Sequence, residues 1–274
     1  MSSCFSPTTL DQAIDLLAAM PHLRVVNGGT DVMVGVNAGS ATVDGWLNLR
    51  RVEDLRGIEH IDRGLRIGGG VTFAEIEQAL AHEVPALAMA ARTVGSRQIR
   101  SVGTIGGNLA TASPAGDALP PLLVLDTEVD LVSPRGMRTV RLNEFLVGPK
   151  RSVCAPDELV AAVVLTDWKG AQHFAKVGTR NAMVISICSL AARLDAKRGH
   201  ARVAAGSVGP TALVLDIAAG LLLQRDGADD FADTVAQSVS PIDDHRATAD
   251  YRRASVRVLA QRIHHHLWSE QVGR

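Results

Sequence analysis

Cysteine is scarce. The chain has three, Cys4, Cys154 and Cys188, odd in number and far apart. No CxxC pair exists, so neither a zinc site nor an iron–sulfur cluster built by this chain alone is expected. The three read as reduced bystanders in core or surface. An excess of either charge is also missing: 28 basic against 29 acidic residues leave a formal charge of −1, whereas a nucleic-acid binder is usually basic. Apolar runs fall short of the roughly 18 residues that a membrane span needs. The opening "MSSCFSPTTLDQ" has no basic region leading into a hydrophobic one, so no secretory signal is expected and the expected location is cytoplasmic. Low-complexity tracts and internal repeats are absent as well. What remains is an ordinary globular composition, 46% hydrophobic and 21% charged over 274 residues, enough for one large or two medium domains with proper cores.

Apolar spacing predicts a first helix over residues 7–20, with Leu10, Ala13, Ile14 and Leu17 on one face and Thr9 and Gln12 as a capping box. Short strands are expected at "HLRVV", "GWLNLRRV" and "GLRIGGG", with a helix from about Thr72. "PALAMAARTVGSRQIRSV" reads as one helix running into a glycine-rich loop. "PLLVLDTEVDLVSPRGMRTVRL" reads as strand, turn, strand. "DELVAAVVL" is a strand, and from about residue 170 a new strand-rich unit begins. Residues 247–268 are helical, with Val256, Leu259, Ala260, Ile263 and Leu267 on one face. The mixture is α+β, with no regular βαβ repeat.

Two stretches carry chemistry: Asn27-Gly28-Gly29-Thr30-Asp31 and Thr104-Ile105-Gly106-Gly107-Asn108. Each comes after an apolar segment and sets a glycine pair between hydroxyl or amide side chains. Glycine lets backbone N–H groups converge without a Cβ in the way, and such a nest binds anions. Bonds to a charged group contribute roughly 1.5–3 kcal/mol each, so five or six hold a pyrophosphate without lysine. The hydroxyls of Thr30 and Thr104 can join them. Asp31 and Asp117 suit sugar hydroxyls or loop anchoring, because like charges repel phosphate. Ordinary turns explain either loop alone, and GxGxxG and GxxxxGK[ST] are both absent. Two similar loops point to a dinucleotide-type ligand.

"NGGTDVMV" and "TIGGNLATASPAGD" resemble the paired flavin motifs of the FAD-binding medium subunit of the xanthine dehydrogenase and carbon monoxide dehydrogenase family of molybdenum hydroxylases. "PDELVAAVVL", "HFAKVGTRNAMVIS", "ARVAAGSVGPTALV" and "PIDDHRATADYRRASVRVLAQR" resemble later landmarks of that family, so the resemblance covers essentially the whole chain, in order. It implies a two-subdomain FAD-binding fold of the vanillyl-alcohol oxidase (PCMH) type over residues 1–170, divided at about 57, and a small C-terminal α/β domain over 171–274. It implies noncovalent FAD, since Thr30 stands where covalent flavoproteins often place histidine. The partners implied are a molybdopterin-bearing large subunit and a small subunit with [2Fe-2S] clusters, in a dimer of heterotrimers. Electrons would pass from the clusters through FAD to an external acceptor.

Carried over residue by residue, Val25, Val26, Asn27, Gly28, Gly29, Thr30, Asp31 and Val32 form the first loop. Thr104, Gly106, Gly107 and Asn108 form the second. Asp117 contacts the FAD, and Val160 and Lys176 lie near the ring, where a cation favours the anionic reduced flavin. No acid, base, nucleophile or metal ligand is assigned. The first loop looks closer to purine- or N-heterocycle-oxidising members than to the carbon monoxide branch. Arg92, Arg97 and Arg100 could balance phosphate charge, dock a partner or simply be solvated. The glycines at 68–70 mark close packing, and the run His264, His265, His266 reads as surface or interface. The rival readings are a stand-alone FAD oxidase, for which the C-terminal unit is small, and a flavin-free scaffold, which the intact glycine loops oppose.

Overall fold

The computed structural model describes residues 3–272. The chain from residue 3 onward opens with β1 (Ser3–Phe5), α1 (Leu10–Ala19), β2 (Arg24–Val26), α2 (Val32–Asn37) and β3 (Gly45–Asn48), a small first lobe. Its three strands are parallel in the order β1–β3–β2. Thr9 caps α1 by accepting from the Gln12 amide, but the Gln12 side chain reaches the Thr8 amide, so only half of the expected capping box forms. Ala13, Ile14 and Leu17 of α1 pack on Leu47 and Leu49, and on Leu159 and Ala161 of the neighbouring sheet.

The next stretch holds β4 (Ile58–Ile61), β5 (Gly64–Gly68), α3 (Phe73–Ala79), α4 (Pro85–Thr93), α5 (Arg97–Arg100), α6 (Ile105–Thr111) and α7 (Leu119–Val124). It continues with β6 (Thr127–Ser133), β7 (Gly136–Arg141), α8 (Leu142–Phe145), β8 (Leu146–Gly148), β9 (Arg151–Ser152) and β10 (Leu159–Leu165). The main sheet is antiparallel, ordered β4–β5–β10–β6–β7. All seven residues of β10 are buried because it serves two cores: Val163 and Leu165 face the helices, Leu159 and Ala161 the first lobe. That two-sided burial explains the unbroken apolar run.

Three sequence expectations need correction. The single helix expected over 85–102 is two, because Gly95 takes a left-handed φ of +48° and Arg100 donates to the carbonyls of Val94 and Gly95 at the break. "PLLV" is the helix α7, not a strand, with prolines in its first turn, where a missing N–H costs nothing. The "IGGNLAT" run is the helix α6, not a loop.

The last stretch holds β11 (Ala171–Val177), β12 (Cys188–Asp195), β13 (His200–Gly206), β14 (Leu213–Val214), α9 (Asp216–Leu222), α10 (Ala228–Gln237) and α11 (Ala249–Val272). The strands form an antiparallel sheet in chain order. Strand periodicity sends alternate residues to opposite faces. Leu190, Ala192, Leu194, Val203 and Ala205 face α9–α11. Phe174, Ala191 and Ala204 join the core of α4 and α7. The same alternation aims Lys176, Arg193 and Arg202 at the preceding stretch. Arg193, fully buried, donates to Val124 O (2.8 Å) and pairs with Asp167 (2.8 Å) and Asp126 (3.2 Å).

Candidate functional site

Val25 and Val26 end the strand β2, and Asn27 begins a turn into α2. Gly29 takes φ +70°, a left-handed conformation that favours glycine. Across residues 28–32 the chain turns so that five consecutive backbone amides find no acceptor among the described residues. Asp31 caps α2 by position only and makes no side-chain cap bond. Amides left open in this way are what an anion nest requires.

The second motif is built otherwise. The amide of Ile105 donates to Val71 O (3.0 Å), that of Gly106 to Gly69 O (2.9 Å) and that of Asn108 to Thr104 O (3.0 Å). The Gly107 amide donates to the Thr104 hydroxyl (3.1 Å). The expected second amide nest is therefore absent, because these donors are spent on capping and packing. Gly106 is glycine for space: a Cβ there would stand 2.6 Å from Gly69 O. Gly69 in turn admits no Cβ, which would stand 2.2 Å from Val160 O. The close packing expected at residues 68–70 is thus present, and it joins Val160 to α6.

The two motifs meet. A Cβ on Gly28 would stand 2.0 Å from Val102 O, and one on Gly103 3.4 Å from the Thr30 hydroxyl oxygen. Asn108 carries the line onward: its Oδ1 is buried without a hydrogen-bond partner and lies 3.3 Å from where a Gly116 Cβ would be. Next to Gly116 is Asp117, 7% exposed. Its Oδ2 accepts from Lys176 Nζ at 2.6 Å and from Thr93 Oγ1 at 3.1 Å, and its Oδ1 accepts from Ser186 Oγ at 2.5 Å. Lys176 also donates to Thr93 O and Val184 O, both at 3.1 Å. The residues singled out from the sequence thus form one connected strip from β2 to β11. Lys176 is neither solvated nor a lone cation.

Sequence reasoning missed Thr93 and Ser186, which no spacing rule marks; both bond to the Asp117 carboxylate. Arg100 pairs with Glu77 at 3.2 Å and braces the α4–α5 break. The histidine run divides. His264 is a core residue, 1% exposed, bonded through Nε2 to Gln224 O at 2.9 Å, which corrects the surface reading. His266 packs against His173 with the rings tilted and their centroids 4.1 Å apart. Burial pushes the thiols of Cys154 and Cys188 up to about 11 and about 12, and Cys4 is exposed. Among the described residues no group of three or more His, Cys, Asp and Glu could hold a metal ion, and no helix is long and apolar enough to cross a membrane.

A strip with an open amide nest, a buried amide oxygen lacking a donor and a glycine-lined backbone crossing suits a flavin dinucleotide. Known proteins agree. The family described as the FAD binding domain in molybdopterin dehydrogenase matches residues 1–168, and the CO dehydrogenase flavoprotein C-terminal domain matches residues 173–267. The xanthine dehydrogenase FAD-binding subunit of Escherichia coli O157:H7 is 30% identical over 269 residues, 93% of this chain and 92% of that one. The nicotine 6-hydroxylase medium subunit of Paenarthrobacter nicotinovorans is 28% identical over 265 residues, 94% of each. The carbon monoxide dehydrogenase structure from Hydrogenophaga pseudoflava superposes with a TM-score of 0.91 over 98% of this chain and 97% of that one; at 23% identity it speaks to fold alone. The chain belongs to the FAD-binding medium subunits of the xanthine dehydrogenase and carbon monoxide dehydrogenase family. It is an oxidoreductase subunit, the flavoprotein component of a molybdenum hydroxylase-type complex.

Proposed function

We propose that this chain relays electrons in a heterotrimeric molybdenum hydroxylase. It receives them from the [2Fe-2S] clusters of a small subunit and delivers them through noncovalent FAD to an external acceptor. The observation that carries the reading is the row of five acceptor-free amides at residues 28–32, packed against the segment that starts the second motif. Bound FAD supplies both one- and two-electron redox chemistry. This chain's part is to bind and orient it. The amides of 28–32 and the Thr30 hydroxyl hold the pyrophosphate, Asn108 Oδ1 and Asp117 accept from hydroxyl or N–H groups, and Val160 and the Lys176 pair border the ring. Residues 1–170 form the flavin-binding part and 171–274 the C-terminal part that closes it. Substrate is oxidised on a molybdopterin-bearing large subunit, and the strip takes the part of cofactor holder alone.

The named relatives act on xanthine and nicotine, which favours a purine or another N-heterocycle as the substrate of the complex. Assembly as a cytoplasmic dimer of heterotrimers completes the proposal. The test is purification of the tagged chain with its neighbouring gene products. A flavin spectrum, copurifying iron and molybdenum, and bleaching of the flavin by a heterocyclic substrate only when all three subunits are present are expected. Rapid substrate oxidation by the isolated flavin-loaded chain would instead make it a stand-alone oxidase.

A further inference from the structure

We propose that Ser186 is a positioning residue of the flavin site, acting through Asp117; this rests on the FAD reading above. An ionised carboxylate offers about four acceptor positions. In Asp117, Lys176 Nζ and Thr93 Oγ1 approach Oδ2, and Ser186 Oγ approaches Oδ1. Oδ1, with a single donor, keeps a position for a donor from outside the chain. The orientation of Oδ1 is therefore what a ligand meets.

Of the two hydroxyls on Asp117, only one is committed. Thr93 Oγ1 has a single proton and two acceptors in reach, Ala90 O at 2.8 Å and Asp117 Oδ2 at 3.1 Å. Ser186 Oγ has one, Asp117 Oδ1 at 2.5 Å, in the range of charge-assisted O–H···O bonds. Lys176 cannot fix Oδ1 either, since its three N–H groups go to Asp117 Oδ2, Thr93 O and Val184 O. The rotation of the carboxylate is set from the Oδ1 side by Ser186 alone.

Ser186 is itself held without help from a ligand. It is 1% exposed. The next residue closes the 178–187 segment through its amide to Val177 O at 2.8 Å, and its carbonyl accepts from Arg252. Farther back, Arg180 donates through Nε to Ala182 O at 3.0 Å and also to Met183 O. The hydroxyl is thus delivered to Asp117 by a braced segment of the C-terminal part, so Ser186 contributes to the site through the carboxylate rather than by touching the cofactor.

The experiment uses the full chain, stripped of flavin and titrated with FAD. Ser186→Ala is expected to weaken FAD binding about tenfold, while the flavin-free protein melts within about 2 °C of the parent. Ser186→Cys, with a weak thiol donor of similar size, is expected to fall between the two. In an Asp117→Asn background, Ser186→Ala is expected to have no further effect. Unchanged affinity in Ser186→Ala overturns the proposal, as does the same loss in both backgrounds. If Asp117→Asn does not fold, the order Ser, Cys, Ala in affinity at constant flavin-free melting decides alone, and any other order overturns the proposal. A parent chain that refuses FAD altogether refutes the FAD reading instead.

Discussion

At residues 28–32 the backbone amides have no acceptor among the described residues, whereas at residues 105–108 every amide has one. Both motifs contain a Gly-Gly pair, a threonine and an asparagine, so composition does not separate them. The difference lies in the helix after each turn. Beyond residue 31 a six-residue helix starts with no side-chain cap, and the amides that lead into it, up to Val32, stay open. At Thr104 a helix starts with its cap in place, and the packing against Gly69 uses the donors that remain. A glycine pair can therefore open a backbone to a ligand or close it against another backbone. Only the hydrogen-bond accounting tells which.

The contrast can be broken most severely at Gly28. A Cβ 2.0 Å from Val102 O forces the loops apart, so Gly28→Ala is expected to abolish FAD binding and lower the melting temperature by about 6 °C or more; calorimetry and flavin absorbance read both. Gly106→Ala comes second. Its Cβ meets Gly69 O at 2.6 Å, which predicts about 2 kcal/mol lost in denaturant unfolding, with FAD still bound wherever the protein is folded. Asn108→Leu inverts that pattern. It removes a buried oxygen without a partner, so the flavin-free protein should be no less stable, while fluorescence titration should show FAD binding about tenfold weaker. Gly107→Ala is the mildest, for the only neighbour of an added Cβ is the Thr104 hydroxyl oxygen at 3.1 Å. A change below about 1 kcal/mol with full flavin content is expected, and loss of flavin there would restore a nest role to the second motif.

A control outside both motifs concerns His173. Burial, and then the neighbouring His266, push its pKa down to about 4. The folded state thus favours the neutral ring. Its contribution to stability is complete above the ordinary value near 6.5 and is lost as pH falls toward 4. Unfolding curves of His173→Gln against the parent should converge over that window, and parallel curves would count against a neutral buried ring.

Much of the fold was legible where side-chain period is strong, in α1, β6, β7 and the last helix, while β10 showed as an unbroken apolar run and the last unit as strand-rich. The misreadings have different causes: "PLLVL" is short and buried on every side, so apolar content shows there without period, and "IGGNLAT" has two large apolar residues and a glycine pair that reads as a loop. At the site, the strip residues could be picked out because glycine pairs and a recognisable family pattern mark them. The pairing of Asp117 with Lys176, 59 residues apart in sequence, could not. Nor could Ser186 and Thr93, since a hydroxyl acquires its meaning only from the carboxylate that tertiary structure sets beside it.

The inner face of the β11–β14 sheet is covered by α4 and α7, and Arg193 lies sealed against the carboxylates of Asp126 and Asp167. A cut near residue 170 would therefore strip one flank from each piece and leave a guanidinium without its counter-ions. Exchange of the C-terminal part between relatives would succeed only if α4, α7, Asp126 and Asp167 travelled with it. The unit that can be swapped is larger than the stretch over which the second family pattern runs.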